Sequence, residues 1–288
     1  MTKLTAKIAI IGGSGVYDAT MLDNVSEIEV DTPFGKPSDK ITVGHFNGVG
    51  VAFLPRHGKG HVHSPTNLNY RANIHALKQI GVEYIIAASA VGSLKEEYKP
   101  LDIVIPNHIF DRTKHRISTF FDDIVVHMGF ADPFCPELSN LLALATAECG
   151  YSHHTNGTYV CMEGPQFSTR AESKTYRKMG FDIIGMTALP EAILAREAEI
   201  CYGMLATVTD YDVWHETDVT IETVIANAIA NEAAVRDVIR RTIEMLTERK
   251  CRIGCKCEIA LAGAITTSPE YISPESREKL DLFIGKYL

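Results

Sequence analysis

The feature of this sequence that most constrains its fold is the alternation, along the whole chain, of short apolar runs with segments of helical periodicity. The runs at 82–88 and 200–208 are continuous and bounded, which is typical of strands buried on both faces of a sheet. The segment 219–249 carries apolar residues about 3.6 positions apart, which predicts a long helix. The alternation therefore predicts an α/β fold in which helices flank a central mixed β-sheet.

The chain has no linker, internal repeat or low-complexity segment, so we expect one domain over residues 1–288. Its net charge of −8 disfavours a partnership with nucleic acid. No apolar stretch reaches the roughly 20 residues that a membrane span needs, so we expect no membrane partner. The N-terminus has no hydrophobic region of the signal-peptide type, which favours a cytoplasmic location.

The sequence has seven cysteines. Four lie in apolar segments and are expected to be packing residues: Cys135, Cys149, Cys161 and Cys201. The other three form a C-x3-C-x-C cluster near the C-terminus: Cys251, Cys255 and Cys257. A structural zinc site usually has four ligands, so we assign no metal. Free thiols and a disulfide both remain open for this cluster.

Three predicted strands are each followed by residues suited to bind an anion. The loop Gly12–Gly15 offers backbone amides and a serine hydroxyl after the first strand. Arg56 and His57 follow the second, and arginine is the planar bidentate partner of phosphate. Ser89 stands at the end of the 82–88 run. Each element alone is equally consistent with a turn or an exposed loop. Because no nucleotide-triphosphate motif is present, the three together indicate free phosphate.

Two carboxylates, Asp210 and Asp212, follow a fourth predicted strand. Side chains two residues apart at a strand end point to the same side, and ligands of open α/β sheets bind at that edge. A solvated loop pair or a helix start is the alternative. A phosphate site combined with a carboxylate pair suggests phosphorolysis of a glycosidic bond.

Seven separated motifs keep the order and near-constant spacing of a known family: 10–15, 31–38, 56–58, 90–94, 163–168, 186–187 and 209–214. Through them the sequence resembles the methylthioadenosine phosphorylases of the purine nucleoside phosphorylase superfamily. The resemblance covers about residues 7–245, and the segment 250–288 is weakly matched. It implies a single-domain purine nucleoside phosphorylase-like fold, pentosyltransferase activity, and a homotrimer or dimer of trimers with active sites near subunit boundaries.

The resemblance also implies the roles of single residues. It implies a phosphate site made by Ser14, Arg56, His57, Ser89, Ala90 and Thr187. Family members often have threonine where Ser14 and Ser89 stand, but the hydroxyl is kept. It further implies a nucleoside site in which Met186 lies along the ribose and Asp210 and Asp212 face the purine. Ser168 and Ile221 would border the base and the 5′ pocket, and His127 would reach the 5′ end of a neighbouring subunit's nucleoside. Without the resemblance, His127 is also consistent with a buried, satisfied histidine.

The expected reaction is phosphorolysis of 5′-methylthioadenosine to adenine and 5-methylthioribose 1-phosphate, with inversion through an oxocarbenium-like transition state. Phosphate is a co-substrate, and no cofactor is expected. We expect Asp212 to protonate purine N7 and Asp210 to accept from the 6-amino group, although the sequence leaves these two roles interchangeable. A methylthioinosine or broad purine nucleoside phosphorylase is the alternative enzyme. A nucleoside-binding protein without catalysis and a nucleoside hydrolase are further alternatives, and the early acidic cluster that a hydrolase needs is reduced to Asp18.

Overall fold

The computed structural model describes residues 5–16, 21–215, 219–251 and 253–288, apart from the side chain of Ser14. Asp18 lies outside the described residues. Within those ranges, none of the helices combines the length and the apolar character that a membrane crossing requires.

The described strands form one mixed sheet. Its members are β1 (Ile8–Gly12), β2 (Asp23–Ile28), β3 (Ile41–Phe46), β4 (Val49–Pro55), β5 (Tyr84–Ser93), β6 (Ile103–Arg112), β7 (His153–Met162), β8 (Ile183–Gly185) and β9 (Cys201–Asp210). Their spatial order is β2-β3-β4-β1-β5-β8-β7-β6-β9. An additional pairing between β5 and β9 closes the last five strands of this order into a ring. The predicted α/β fold with a mixed central sheet is confirmed.

Six α-helices accompany the sheet in the described part of the chain. They are α1 (Tyr70–Gln79), α2 (Pro136–Glu148), α3 (Arg170–Lys178), α4 (Ala188–Glu197), α5 (Ile221–Glu248) and α6 (Pro274–Ile284). The long helix predicted over 219–249 is α5, and it begins after Thr220, whose hydroxyl accepts the Thr223 amide at 3.3 Å. Side-chain capping therefore sets the start of this helix.

The helices cover the sheet from two sides. Leu138 of α2 and Val238 of α5 share one apolar cluster with Ile10 and Leu205 of the sheet. The other large cluster joins apolar residues of α1, α4 and α6 to the opposite side of the strands. Every residue of β9 except Asp210 is buried. Burial on both faces explains why this strand is a continuous apolar run rather than an alternating pattern.

Strand β5 is longer than the apolar run that predicts it. It continues from Tyr84 to Ser93, so Ser89 lies inside the strand and not in a turn after it. The extension is held because residues 84–92 of β5 pair with β9, while Gly92 and Ser93 pair with β8. The polar residues of this stretch are thus carried by a rigid strand with neighbours on both sides.

Candidate active site

The three elements predicted to bind an anion meet at one edge of the sheet. Strand β1 lies between β4 and β5, and all three run parallel. Gly12 stands opposite Pro55, and its carbonyl accepts the Arg56 amide at 2.9 Å. The loop that begins at Gly12 and Arg56 are therefore adjacent. Ile11 of β1 pairs with Ala87 of β5, and Ser89 lies two residues further along β5. The carboxyl ends of parallel strands are the usual ligand edge of such sheets.

Arg56 is buried, and its planar edge is already occupied. Its Nε and Nη2 donate to the two carboxylate oxygens of Glu191 at 2.7 and 2.8 Å. Nη1 donates to Ala88 O at 2.9 Å, and Nη2 donates to Ile11 O at 3.3 Å. These bonds use four of the five N–H groups of a guanidinium. The bidentate edge expected to face phosphate faces Glu191 instead, and one Nη1 N–H is left for an anion.

Glu191 is a partner of Arg56 that no sequence motif indicates. Its side chain is about as buried as that of Arg56, and it also accepts the Tyr202 hydroxyl at 2.8 Å. Burial by itself would lower the pKa of Arg56, but the charge of Glu191 raises it above the ordinary value. Glu191 lies 135 positions from Arg56, so no local pattern links the two.

His57 is neutral near pH 7 in this environment. Burial lowers its pKa to about 4, despite the hydrogen bond to the His63 carbonyl. Its Nδ1 lies 2.8 Å from His63 O, so the geometry assigns the proton to Nδ1 and leaves Nε2 as an acceptor. The ring also stacks on His61, with 4.2 Å between the centroids. The neutral side chain can thus accept a proton of phosphate rather than offer it a positive charge.

Two hydroxyls from distant segments meet near this edge. The oxygens of Ser89 and Thr187 are 3.3 Å apart. Thr187 is the N-cap residue of α4 and makes no side-chain capping bond, so its hydroxyl remains directed toward Ser89. Ala90, the next residue of β5, is exposed. These three predicted phosphate residues lie together.

Met186 precedes Thr187 and is held by a buried arginine. Arg116 donates to the backbone carbonyls of Met186 at 2.6 Å, Leu189 at 2.5 Å and Glu163 at 2.6 Å. The side chain of Arg116 is 1% exposed. This residue ties together the segments around 163 and 186, two of the motifs that carry the resemblance. It was absent from the predicted site because it lies outside every motif.

The two carboxylates are close together, but not through strand alternation. Asp210 is the last residue of β9, and Asp212 belongs to a short 3₁₀ turn in which its φ is +51°. The Asp212 amide donates to Asp210 Oδ1 at 2.8 Å. The left-handed conformation is one that aspartate tolerates better than most residues. The expectation that a period of two aligns the pair was wrong, because the chain turns between them.

The two carboxyl groups differ in their partners. Both oxygens of Asp210 accept hydrogen bonds, one from the Asp212 amide and the other from the Thr209 hydroxyl at 2.7 Å. Oδ2 of Asp212 is buried and has no hydrogen-bond partner among the described residues. Burial raises the pKa of Asp210 and of Asp212. An unpartnered buried oxygen favours the neutral acid.

Helix α5 holds the end of β9 in place. Asn227 donates to Thr209 O at 2.6 Å, and Asn231 donates to Val208 O at 3.2 Å. These carbonyls belong to the residues directly before Asp210. The apolar positions of α5 predict the helix, but two of its polar side chains, Asn227 and Asn231, orient the carboxylate pair.

The remaining predicted residues have different surroundings. Ser168 is buried, and its hydroxyl lies 3.7 Å from Met162 Sδ. Ile221 begins α5 with 53% of its surface exposed. His127 is exposed, and its amide donates to Ala264 O at 2.9 Å. The alternative of a buried, satisfied histidine is wrong for His127, because its side chain faces outward in a single chain.

A sheet edge with hydroxyl, amide and guanidinium donors, next to two buried carboxyl groups at the end of the neighbouring strand, suits phosphate-dependent cleavage of a nucleoside. The family model described as the phosphorylase superfamily matches residues 7–244, and the chain belongs to this superfamily.

Similar proteins narrow the class. An S-methyl-5′-thioadenosine phosphorylase of Koribacter versatilis is 52% identical over 287 residues, which are 99% of this chain and 97% of the relative. The crystal structure of a methylthioadenosine phosphorylase from an Antarctic soil metagenomic library has a TM-score of 0.93 and 47% identity, covering 98% of this chain and 99% of the other. A methylthioadenosine phosphorylase from Schistosoma mansoni, in complex with adenine, has a TM-score of 0.85 and 34% identity, covering 92% and 100%. The relatives place this chain among the S-methyl-5′-thioadenosine phosphorylases.

Proposed function

We propose that this protein catalyses the phosphorolysis of 5′-methylthioadenosine to adenine and 5-methylthioribose 1-phosphate, a pentosyl transfer that serves purine and methionine salvage. The relatives reported above support the substrate, and the adenine bound by the Schistosoma mansoni protein supports the base. They do not favour the alternative of a methylthioinosine or broad purine nucleoside phosphorylase.

One observation carries the proposal most directly. Strands β5 and β9 lie side by side, and Gly92 of β5 pairs with Asp210 of β9. A Cβ at Gly92 would lie 3.0 Å from Asp210 Oδ1, so glycine lets the carboxylate pack closely against β5. Ser89 stands three residues before Gly92, which is roughly 10 Å along the strand at about 3.3 Å per residue. A ribose bridging phosphate and purine fits a separation of this order.

The chemistry needs no protein nucleophile. Phosphate attacks C1′ from the face opposite the base, the bond from C1′ to N9 breaks, and its electron pair leaves with the purine. Positive charge develops on the ribose, and the phosphate charge stabilises it. The protein's contribution is to position the two reactants and to protonate the leaving group. We propose that Ser14, Arg56, His57, Ser89, Ala90 and Thr187 bind phosphate.

We assign different roles to the two carboxyls. Asp212, whose Oδ2 is buried without a partner among the described residues, is the proposed acid that protonates N7. Asp210, both of whose oxygens accept hydrogen bonds, is the proposed ionised acceptor for the 6-amino group. A 6-oxo purine would place an acceptor against this carboxylate, at a cost of about 1–3 kcal/mol for the unsatisfied pair.

The 5′ end of the nucleoside is proposed to lie at a subunit boundary. Met186 lies along the ribose in this proposal, with Ser168 and Ile221 at the base and the 5′ pocket. Ile221 and His127 are exposed in the single chain. Their exposure leaves both side chains accessible to a neighbouring subunit, and in the proposed homotrimer, or dimer of trimers, His127 reaches the nucleoside of a neighbour. Three expectations stay predictions: that the protein is cytoplasmic, that residues 1–288 form one domain, and that the reaction needs no cofactor or metal. The expectation that the protein has no nucleic-acid or membrane partner also stays a prediction.

Phosphate dependence is the decisive test of the proposed function. We expect adenine release from 5′-methylthioadenosine to require phosphate and to yield one sugar 1-phosphate per adenine, measured by chromatography of both products. Parallel assays with 5′-methylthioinosine and inosine separate the alternative enzymes. Equal rates of adenine release with and without phosphate would identify a hydrolase and overturn the proposal.

The pH dependence of kcat tests the proposed acid. A donor must carry its proton, so kcat is expected to be highest below the pKa of Asp212 and to fall with a single-proton slope as pH rises through it. Burial raises that pKa, so the decline lies above the range of an ordinary aspartate. The profile is measured at saturating phosphate and nucleoside. A kcat that increases with pH across the same range would contradict the assignment.

A further inference from the structure

Four cysteine side chains from three distant parts of the chain meet in one place. The sulfur atoms of Cys135, Cys201, Cys255 and Cys257 all lie within 4.8 Å of one another. Three of these side chains are buried, and Cys255 is half-buried. The expectation that Cys135 and Cys201 are packing residues is therefore incomplete, because both point at the C-terminal cysteine pair. This four-cysteine cluster plays no part in the proposed reaction.

The spacing of the sulfurs is compatible with a tetrahedral metal site. Zinc binds thiolates at about 2.3 Å, which puts the corners of the tetrahedron about 3.8 Å apart. The Cys201 and Cys255 sulfurs are 3.1 Å apart, and no pair exceeds 4.8 Å. The observed range thus includes the ideal edge, and all four side chains are free thiols.

The backbone around the cluster favours thiolates. Cys135 is the N-cap residue of α2, where the amide dipoles stabilise a negative sulfur. The Leu138 amide donates to the Cys135 sulfur, and the Cys257 amide donates to the Cys255 sulfur. Amide donors to ligand sulfurs are the outer contacts that metal sites use to orient their ligands.

The position of the cluster indicates a structural role. Cys201 begins β9, and Asp210 ends it nine residues later. At about 3.3 Å per residue, the cluster is roughly 30 Å from the carboxylate pair. Four protein ligands also leave no open position for a substrate.

We propose that Cys135, Cys201, Cys255 and Cys257 form a closed tetrahedral zinc site that anchors the C-terminal segment to the sheet. The four thiols bind as thiolates and release their protons to solvent. Anchoring has a defined target, because the segment after Cys257 pairs with the chain around His127: Val126 bridges Ile265, and the His127 amide donates to Ala264 O.

Metal analysis of the full-length wild-type protein is the first test. Protein purified under reducing conditions without chelator is expected to contain one zinc per chain by plasma mass spectrometry. A thiol-specific mercurial should release that zinc to a colorimetric dye. Replacement by cobalt should give the thiolate charge-transfer and visible bands typical of a tetrahedral four-sulfur site. The proposal is overturned if reduced protein fails to bind zinc or cobalt under anaerobic reconstitution, or if mass spectrometry finds disulfides among these four cysteines.

Matched cysteine variants locate the metal. Cys257→Ser should lose the bound zinc and melt at lower temperature, whereas Cys149→Ser, outside the cluster, should keep one zinc per chain. The carboxylate pair is roughly 30 Å from the cluster, so kcat at saturating nucleoside and moderate temperature should stay within about twofold of wild type for both variants. Retention of stoichiometric zinc by Cys257→Ser and by Cys255→Ser would contradict the assignment. If neither variant folds, the cobalt spectrum of the wild type still decides.

Discussion

Asp212→Asn is expected to lower kcat for adenine release by roughly 10²–10⁴-fold, the usual contribution of a positioned general acid. Asparagine has nearly the shape of aspartate and tolerates the left-handed backbone found at this position, so the fold should be kept. The substitution removes the transferable proton of a buried carboxyl whose Oδ2 has no other partner in the described part of the chain. The measurement is single-turnover and steady-state adenine formation at saturating phosphate and 5′-methylthioadenosine.

Asp210→Asn is the matched comparison, because it alters the neighbouring carboxyl at the end of the same strand. The side chain of Asp210 accepts from Thr209 and from the Asp212 amide, which favours an ionised acceptor. We therefore expect this variant to keep the decline of kcat at high pH and to lose preference for 6-amino over 6-oxo purines. In Asp212→Asn the decline itself should disappear. A near-wild-type kcat for Asp212→Asn, or its pH decline unchanged, would rule out Asp212 as the acid.

Glu191→Gln is expected to lower the free energy of unfolding by about 3–5 kcal/mol, the cost of leaving one buried charge without its partner. The ion pair with Arg56 is almost fully buried, and two of the guanidinium nitrogens depend on it. Glutamine keeps an oxygen for the Tyr202 hydroxyl but cannot neutralise Arg56. Denaturant titration measures the change, and the melting temperature should fall by on the order of 10 °C.

The control for this prediction is an exposed ion pair. Lys7 and Glu83 are 3.0 Å apart, but their side chains are 53% and 49% exposed. Glu83→Gln should therefore change the free energy of unfolding by at most about 1 kcal/mol. Combining Arg56→Gln with Glu191→Gln should cost less than the sum of the single changes, because no unpaired charge is then buried. A loss below about 1 kcal/mol for Glu191→Gln alone would show that Arg56 finds other compensation.

Local periodicity explains which parts of the fold are predictable from the sequence. The helix expected over 219–249 spans Ile221–Glu248, since a spacing near 3.6 is repeated along its whole length. Strand β9 is recognised as an unbroken apolar run because both of its faces are buried. The extension of β5 through Ser89 is not visible, because pairing with β8 and β9 holds polar residues in a strand that their local sequence does not favour.

The site shows the same limit at the level of side chains. The sequence identifies Arg56 as an anion ligand, but the edge expected to face phosphate is bound to Glu191, which lies 135 positions away. The sequence predicts that strand alternation brings Asp210 and Asp212 together, but a turn after the strand does so. Arg116, which orders the backbone of Met186, belongs to no motif and becomes visible only through its contacts.

The sequence by itself determined the α/β class, the strand ends that carry chemistry and the family, because apolar periodicity and short motifs are properties of neighbouring residues. Only the tertiary structure decided which side chains share a partner: Arg56 with Glu191, and Cys135 and Cys201 with Cys255 and Cys257. These contacts join residues that the chain order separates by tens of positions or more, and they are set by strand pairing and helix packing. Burial in turn decides their charge, because the free energy of an ionised group depends on the solvent and partners around it.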